Sequence, residues 1–198
     1  MKQGRLIIIS GPSGAGKSTI VRAVMAQSPG AFFSVSATTR AIRPGEQDGV
    51  DYLFVSRERF QDMIRNDGLL EWAEYVDNYY GTPAEPVRRK LSEGCDVILD
   101  IETRGAEQVM AKYPEAISIF VCAPSFAEIE ERLRKRGTNT EADIQKRLAK
   151  GRAECEKADM YTYLIINDDR EKAAAQTEAI LIAESCKSKE HLKVLKGE

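Results

Sequence analysis

Residues 5–18 read RLIIISGPSGAGKS, and this stretch decides the fold. The four apolar residues Leu6 to Ile9 are too few for a globular helix and suit a buried strand. The next eight, Gly11, Pro12, Ser13, Gly14, Ala15, Gly16, Lys17 and Ser18, match G-x-x-x-x-G-K-[ST]. The match falls after a strand and before a helix, which is the setting a phosphate-cradling loop requires. Glycines let the backbone turn tightly so that its N–H groups converge on phosphate oxygens, and the helix start adds partial positive charge. Lys17 reaches the β- and γ-phosphates, the Ser18 hydroxyl can ligate Mg2+, and Thr19 continues the first turn. By chance, four fixed positions would match in roughly one chain of this length in a hundred. The expected ligand is a nucleoside triphosphate.

Working outward, short apolar runs alternate with helical patterns. A helix is expected near 17–28, a strand at FFSVS (32–36), and another at DYLFV (51–55). Ser56 is a suitable N-cap for a helix to about Asn66. After LLEWAEYV and the turn-rich DNYYGTP, a helix runs from about Ala84 to Glu93–Gly94. Buried strands follow at CDVILDI (95–101) and AISIFVCA (116–123), separated by a helix near 104–113. Pro124–Ser125 starts a helix toward Arg136, TNTEAD reads as a loop with helix capping, and a long helix spans about Glu141 to Lys157. YLIIND (163–168) is the last strand, before a helix near 170–186. Apolar strands between amphipathic helices predict an α/β fold: a P-loop NTPase-like core with a five-stranded parallel sheet covered by helices on both faces. Two stretches break the rhythm, about 35–83 and about 126–158, and both read as insertions.

The totals exclude several functions. A net charge of −2 and a pI near 5.7 argue against general nucleic-acid binding, which needs a basic face. No apolar run approaches the ~20 residues that span a membrane, and the apolar block at the N-terminus is too short for a signal-peptide core. The cytoplasm is the expected setting. Cys95, Cys122, Cys155 and Cys186 form no CxxC pair, so reduced, mostly buried thiols are expected rather than a zinc or disulfide scaffold. The only histidine, His191, lies in a polar tail, so histidine acid–base catalysis is not expected.

An acidic partner to the phosphate loop should close a buried strand and orient a metal or its waters, and Asp100, ending CDVILD, fits. No N-K-x-D motif marks a switch GTPase. The two insertions suit a small kinase that carries an acceptor-binding segment and an arginine-bearing lid. At this point the chain resembles the guanylate kinase family. The carrying residues are GPSGAGKST (11–19), SATTRAIRPGE (36–46), DGVDYLF (48–54), EWAEY (71–75), NYYGT (78–82), ILDIE (98–102), ERLRKRGT (131–138), KRL (146–148) and NDD (167–169). They run through nearly the whole chain in family order.

The resemblance implies a core of residues 1–33, 84–125 and 158–198, an inserted mixed α/β GMP-binding subdomain at 34–83 and a helical lid at 126–157. It implies that Ser36, Arg40, Arg43, Tyr52, Glu71, Tyr80 and Thr82 hold GMP, with Asp100 and Glu102 nearby. It implies that Arg132, Arg136 and Arg147 meet the transferring phosphate, and that Asn167 and Asp169 border adenine. ATP and GMP would then be the small-molecule partners and Mg2+, at Ser18 and Asp100, the cofactor.

Elementary chemistry agrees with that assignment. A nucleoside monophosphate is largely dianionic at pH 7, its second pKa being about 6, so no general base is needed. What the reaction needs is neutralisation of two mutually repelling phosphates, which arginine forks provide. Guanine presents adjacent N1–H and N2–H2 donors that one carboxylate, Glu71, can accept, while Ser36 and Thr82 could donate to O6 or N7. Adenine offers an acceptor at N1 and would leave the carboxylate unpaired, a loss of about 10⁴-fold. Tyr79 and Trp72 read as packing residues, and Arg134 and Lys135 as a solvated helix face. The chain departs from the family's L-D-I-D-x-Q-G at LDIETRG (99–105), where Glu102 replaces an Asp and Arg104 a Gln, and Ala37 stands where Ser is common. Two other readings are a P-loop kinase for another phosphorylated acceptor, such as a ribose bisphosphate, and a non-catalytic peptide-binding module. The Ser36, Glu71 and Thr82 set weighs against the first, and the intact Gly16–Lys17–Ser18 against the second.

Overall fold

The computed structural model describes residues 3–75, 77–135 and 140–187. The elements, in chain order, are β1 (Leu6–Ser10), α1 (Lys17–Gln27), β2 (Phe32–Phe33), β3 (Ala37–Thr38), β4 (Leu53–Phe54), α2 (Arg57–Arg65), β5 (Leu69–Tyr75) and β6 (Asn78–Pro83). Then come α3 (Ala84–Ser92), β7 (Val97–Asp100), α4 (Thr103–Lys112), β8 (Ile117–Cys122), α5 (Phe126–Lys135), α6 (Glu141–Cys155), β9 (Tyr163–Ile166) and α7 (Arg170–Ser185). A five-stranded parallel sheet has the order β2-β7-β1-β8-β9. Every residue of β1 is buried, as its unbroken apolar run requires in a parallel sheet. The chain divides into two compact units, residues 1–10 with 29–119, and residues 11–28 with 120–198.

In the first unit β7 pairs in parallel with β1, from Leu6–Val97 to Ile9–Asp100, and with β2. A second, four-stranded sheet has the order β4-β3-β6-β5. Ala37, Phe60 and Leu69 form its buried cluster. Phe60 comes from α2, whose start is fixed by the Ser56 side chain accepting from the Arg59 N–H at 3.2 Å. Replacing Ser56 with alanine should cost about 1 kcal/mol, read as a shift of the urea midpoint at unchanged slope. In the second unit α1 lies against α7, and α5 against α6 over the cluster Ala123, Ile129, Leu133, Ile144 and Leu148. The capping expected in TNTEAD is present: Thr140 and Asp143 cap each other's N–H groups at the start of α6.

Three expectations are corrected. FFSVS is not one strand: β2 stops at Phe33, and Ala37–Thr38 joins the second sheet as β3. Ser34 still donates to the Ile98 carbonyl, and the chain changes sheets over the next residues. DNYYGTP, read as turn-rich, contains the central strand β6, flanked by β3 and β5. Strand neighbours on both sides override the turn propensity of Asn78, Gly81 and Pro83. The cysteines are less buried than expected: Cys95, Cys122 and Cys155 are half-buried and Cys186 is exposed. Arg136 and His191 lie outside the described residues.

Candidate active site

The glycine-rich loop turns as its sequence requires. Gly16 has φ 91° and is the N-cap of α1, which begins with no side-chain cap. A helix's first N–H groups lack intrahelical partners, so this end is suited to an anion. A side chain at position 16 would strike the Asn167 amide nitrogen, which instead donates to the Ala15 carbonyl at 2.7 Å. Lys17 folds onto the loop, donating to the Gly11 carbonyl at 2.6 Å and the Pro12 carbonyl at 3.3 Å. Ser18 and Thr19 are exposed at the start of the helix.

Two of the predicted arginines reach this loop within the second unit. Arg132 on α5 donates to the Asn167 carbonyl at 2.9 Å and the Ala15 carbonyl at 3.4 Å, and pairs with Glu128. Arg147 on α6 donates to the Ser13 hydroxyl at 2.9 Å. Arg134 pairs instead with Glu130 and Glu141, and Lys135 with Glu131, the solvated face expected of them. Asn167 is 1 % exposed, and among the described residues its amide oxygen has no hydrogen-bond partner. Asp169 caps α7 by accepting from the Lys172 N–H at 2.9 Å.

The remaining predicted residues gather in the first unit. Glu71 on β5 is only 5 % exposed and accepts from the Thr82 hydroxyl of β6 at 2.7 Å. Burial raises its carboxyl to a pKa of about 7, and the negative Glu102 adds to the rise against the opposing effects of Thr82 and Lys112. Glu102 is itself the exposed N-cap residue of α4. Ser36 is half-buried beside β3, and its carbonyl accepts from Leu53. Asp100 ends β7, close enough to Tyr52 for its charge to raise the phenol, which burial has already pushed up. Tyr52 and Tyr80 meet edge to face at 6.0 Å between ring centres.

Arg40 is held by its surroundings. Its two terminal nitrogens donate to the two oxygens of Glu46 at 2.9 and 2.7 Å, and one also to the Ala41 carbonyl. Its guanidinium lies 5.4 Å from the ring centre of Tyr52 and 5.6 Å from that of Phe54. Glu46 also accepts from the Arg43 N–H at 2.8 Å, so one carboxylate fastens the loop at both arginines. Tyr79 stacks on Phe60, and Trp72 packs edge-on against Tyr79, so both serve packing as the sequence suggests.

Sequence reasoning did not single out Glu46 as the partner of Arg40, although it stands in the quoted SATTRAIRPGE. It also passed over Gln108 and Lys112 on α4. Gln108 donates to the Trp72 carbonyl at 2.8 Å, and Lys112 to the Leu70 carbonyl at 2.8 Å. Their spacing from Gly105, three and seven residues on, was the available signal.

Among the described residues no group of three or more His, Cys, Asp or Glu side chains could hold a metal by itself. Mg2+ is a hard cation that favours oxygen donors, and the hydroxyl of Ser18 on α1 and the carboxylate of Asp100 at the end of β7 are each a donor of that type.

The family model "Guanylate kinase" matches residues 3–184. The guanylate kinase of Carboxydothermus hydrogenoformans is 50% identical over 189 residues, covering 96% of this chain and 93% of its own. That of Desulfitobacterium hafniense is 48% identical over 194 residues, covering 98% and 97%. Among solved structures, the guanylate kinase of Anaplasma phagocytophilum superimposes with a TM-score of 0.77 at 32% identity, covering 94% of this chain and 89% of that one.

Proposed function

The chain belongs to the guanylate kinase family, and we propose that it moves the γ-phosphate of ATP to GMP with ATP on residues 11–19 and guanine at Glu71. The observation that carries the guanine assignment is the buried Glu71 carboxylate, fastened by Thr82 through one oxygen. Guanine's N1–H and N2–H2 offer the donors that such a carboxylate needs to stay ionised in a buried position. Ser36 completes the edge contacts at O6 or N7, and Thr82, whose hydroxyl proton goes to Glu71 at 2.7 Å, serves guanine by holding that carboxylate.

On the acceptor side Arg40 and Arg43 take the GMP phosphate. Tyr52, whose phenol is held above its ordinary range, stays protonated and donates to it together with Tyr80. On the donor side Lys17 and the first N–H groups of α1 hold the β- and γ-phosphates. Arg132 and Arg147, anchored at Ala15 and Ser13, offset the charge that spreads over the transferring group, a part also assigned to Arg136. The unpartnered Asn167 oxygen suits the adenine N6 amino group, with Asp169 beside it. The attacking oxygen belongs to a phosphate that is already deprotonated, so no side chain takes a proton. Ser18 would hold Mg2+ and Asp100 would orient its waters, and the ion would supply further charge neutralisation at the phosphates. Asp100 and Glu102 also border the guanine, where Glu102 keeps the charge of the family's Asp. In this reading residues 34–83 are the GMP-binding subdomain and 126–157 the lid, and a cytoplasmic setting fits both substrates.

The reading has a pH signature. Guanine requires Glu71 ionised, and the carboxyl has a pKa of about 7 without it. The KM for GMP should therefore be flat above pH 8 and rise by up to about tenfold per unit as the pH falls below 7. The KM for ATP should stay constant over the same range. The GMP phosphate protonates near pH 6, so the window from pH 8 to 6.5 isolates Glu71. Equal pH profiles for the two KM values would overturn the assignment of guanine to Glu71.

A further inference from the structure

β5 is the outer strand of the second sheet, so alternate peptide groups along it face away from β6. One stripe of α4 meets them. The Gln108 amide forms a two-way pair with the Trp72 peptide, accepting from its N–H at 3.3 Å and donating to its carbonyl at 2.8 Å. The same amide donates to the Arg104 carbonyl one turn back, at 3.2 Å, which ties the side chain to its own helix. Lys112 donates to the Leu70 carbonyl at 2.8 Å. Between these two anchored peptides lies Glu71. Its carboxylate rests on the third member of the stripe, Gly105, where a Cβ would overlap Oε2 and come within 2.8 Å of Cδ. Glycine in a helix is destabilising relative to alanine, so its presence in the first turn of α4 needs a local reason. The carboxylate provides one.

We propose that Gly105, Gln108 and Lys112 are positioning residues that set where the Glu71 carboxylate stands, and so set discrimination at the 2-amino group of the purine. The inference rests on the reading of Glu71 as the partner of guanine. Sheet-edge protection alone explains the hydrogen bonds of Gln108 and Lys112. It does not explain why both flank the one residue whose side chain lies on a glycine of the same helix. Hydrogen bonding to N1–H and N2–H2 together demands a carboxylate fixed in position and tilt. A strand edge held only by β6 would leave it free to shift along the pleat. Thr82 fixes one oxygen from the strand side, and the α4 stripe fixes the backbone and the other oxygen from the helix side.

The test compares GMP with IMP, which keeps N1–H and O6 but lacks the 2-amino group. Gln108→Met keeps length and removes all three hydrogen bonds of the amide, two of them to Trp72, and Gly105→Ala displaces the carboxylate directly. Each should lower kcat/KM for GMP by about tenfold or more while changing IMP by less than about threefold, compressing the GMP/IMP ratio. The KM for ATP should hold within about twofold. Gln108→Glu, which keeps the acceptor for the Trp72 N–H, should recover part of the ratio. A purely structural role would lower GMP and IMP together, alongside the melting temperature. If one variant fails to fold, Lys112→Met gives the same readout at the other anchored peptide. Glu71→Gln, measured alongside, separates the two claims. If it leaves the ratio intact, the guanine reading fails. If it collapses the ratio while Gln108→Met, Gly105→Ala and Lys112→Met leave it unchanged, the positioning role alone is overturned.

Discussion

Lys17→Met should lower phosphoryl transfer by about 10³-fold or more, with a melting temperature within a degree or two of the parent. Among the described residues Lys17 donates only to the carbonyls of Gly11 and Pro12 in the loop it belongs to, contacts that solvent can replace. No buried core group depends on it, so folding should survive. During transfer its ammonium must offset charge on the β- and γ-phosphates that no neutral side chain can offset. The loss should appear in kcat, because the interaction strengthens as charge develops on the leaving ADP. A drop confined to the KM for ATP would assign Lys17 to ground-state binding alone.

Glu71→Gln should reduce kcat/KM for GMP by about 10²–10⁴-fold and leave the KM for ATP unchanged. The amide accepts through one atom only, so its NH2 meets one of guanine's two donors head-on. The Thr82 hydroxyl can still donate to the amide oxygen, and that competes with guanine for the same acceptor. The stability effect should have the opposite sign. A carboxyl with pKa about 7 when folded and near 4.5 when unfolded binds more protons in the native state between those values. Its contribution to stability is therefore greatest below pH 4.5 and is lost as the pH rises to 7. The neutral amide lacks that dependence, so the variant should be more stable than the parent at pH 8 and show a flatter profile between pH 5 and 8. Calorimetric melting at three pH values reads this directly, and a variant less stable at pH 8 would contradict the buried-carboxylate account.

The sequence was most legible where one local rule acted alone. The run Leu6–Ile9 and the glycine-rich loop specified a buried strand, a phosphate cradle and a helix without reference to anything distant. Ser56 and the stretch TNTEAD announced helix starts in the same local way, and Ser56 and Thr140 act as the caps. Legibility failed where distant pairing decided the outcome. Asn78 to Pro83 carry turn residues, yet two flanking strands make them the central ribbon of the second sheet. Within SATTRAIRPGE no local rule shows that Glu46 turns back onto Arg40. Burial of Glu71 was equally hidden, since a glutamate beside Trp72 reads as the solvent-facing residue and the covering helix lies about thirty residues on. Glycine at position 105 is meaningful only once the carboxylate above it is known.

The most direct test of the central claim is a coupled ADP-release assay on the parent and on Glu71→Gln with GMP, AMP, CMP and UMP as acceptors. The parent should turn over GMP with a kcat/KM at least about 10³-fold above that of any other acceptor, and Glu71→Gln should lose most of that margin. Comparable turnover of GMP and AMP by the parent, or an undiminished margin in the variant, would contradict the account.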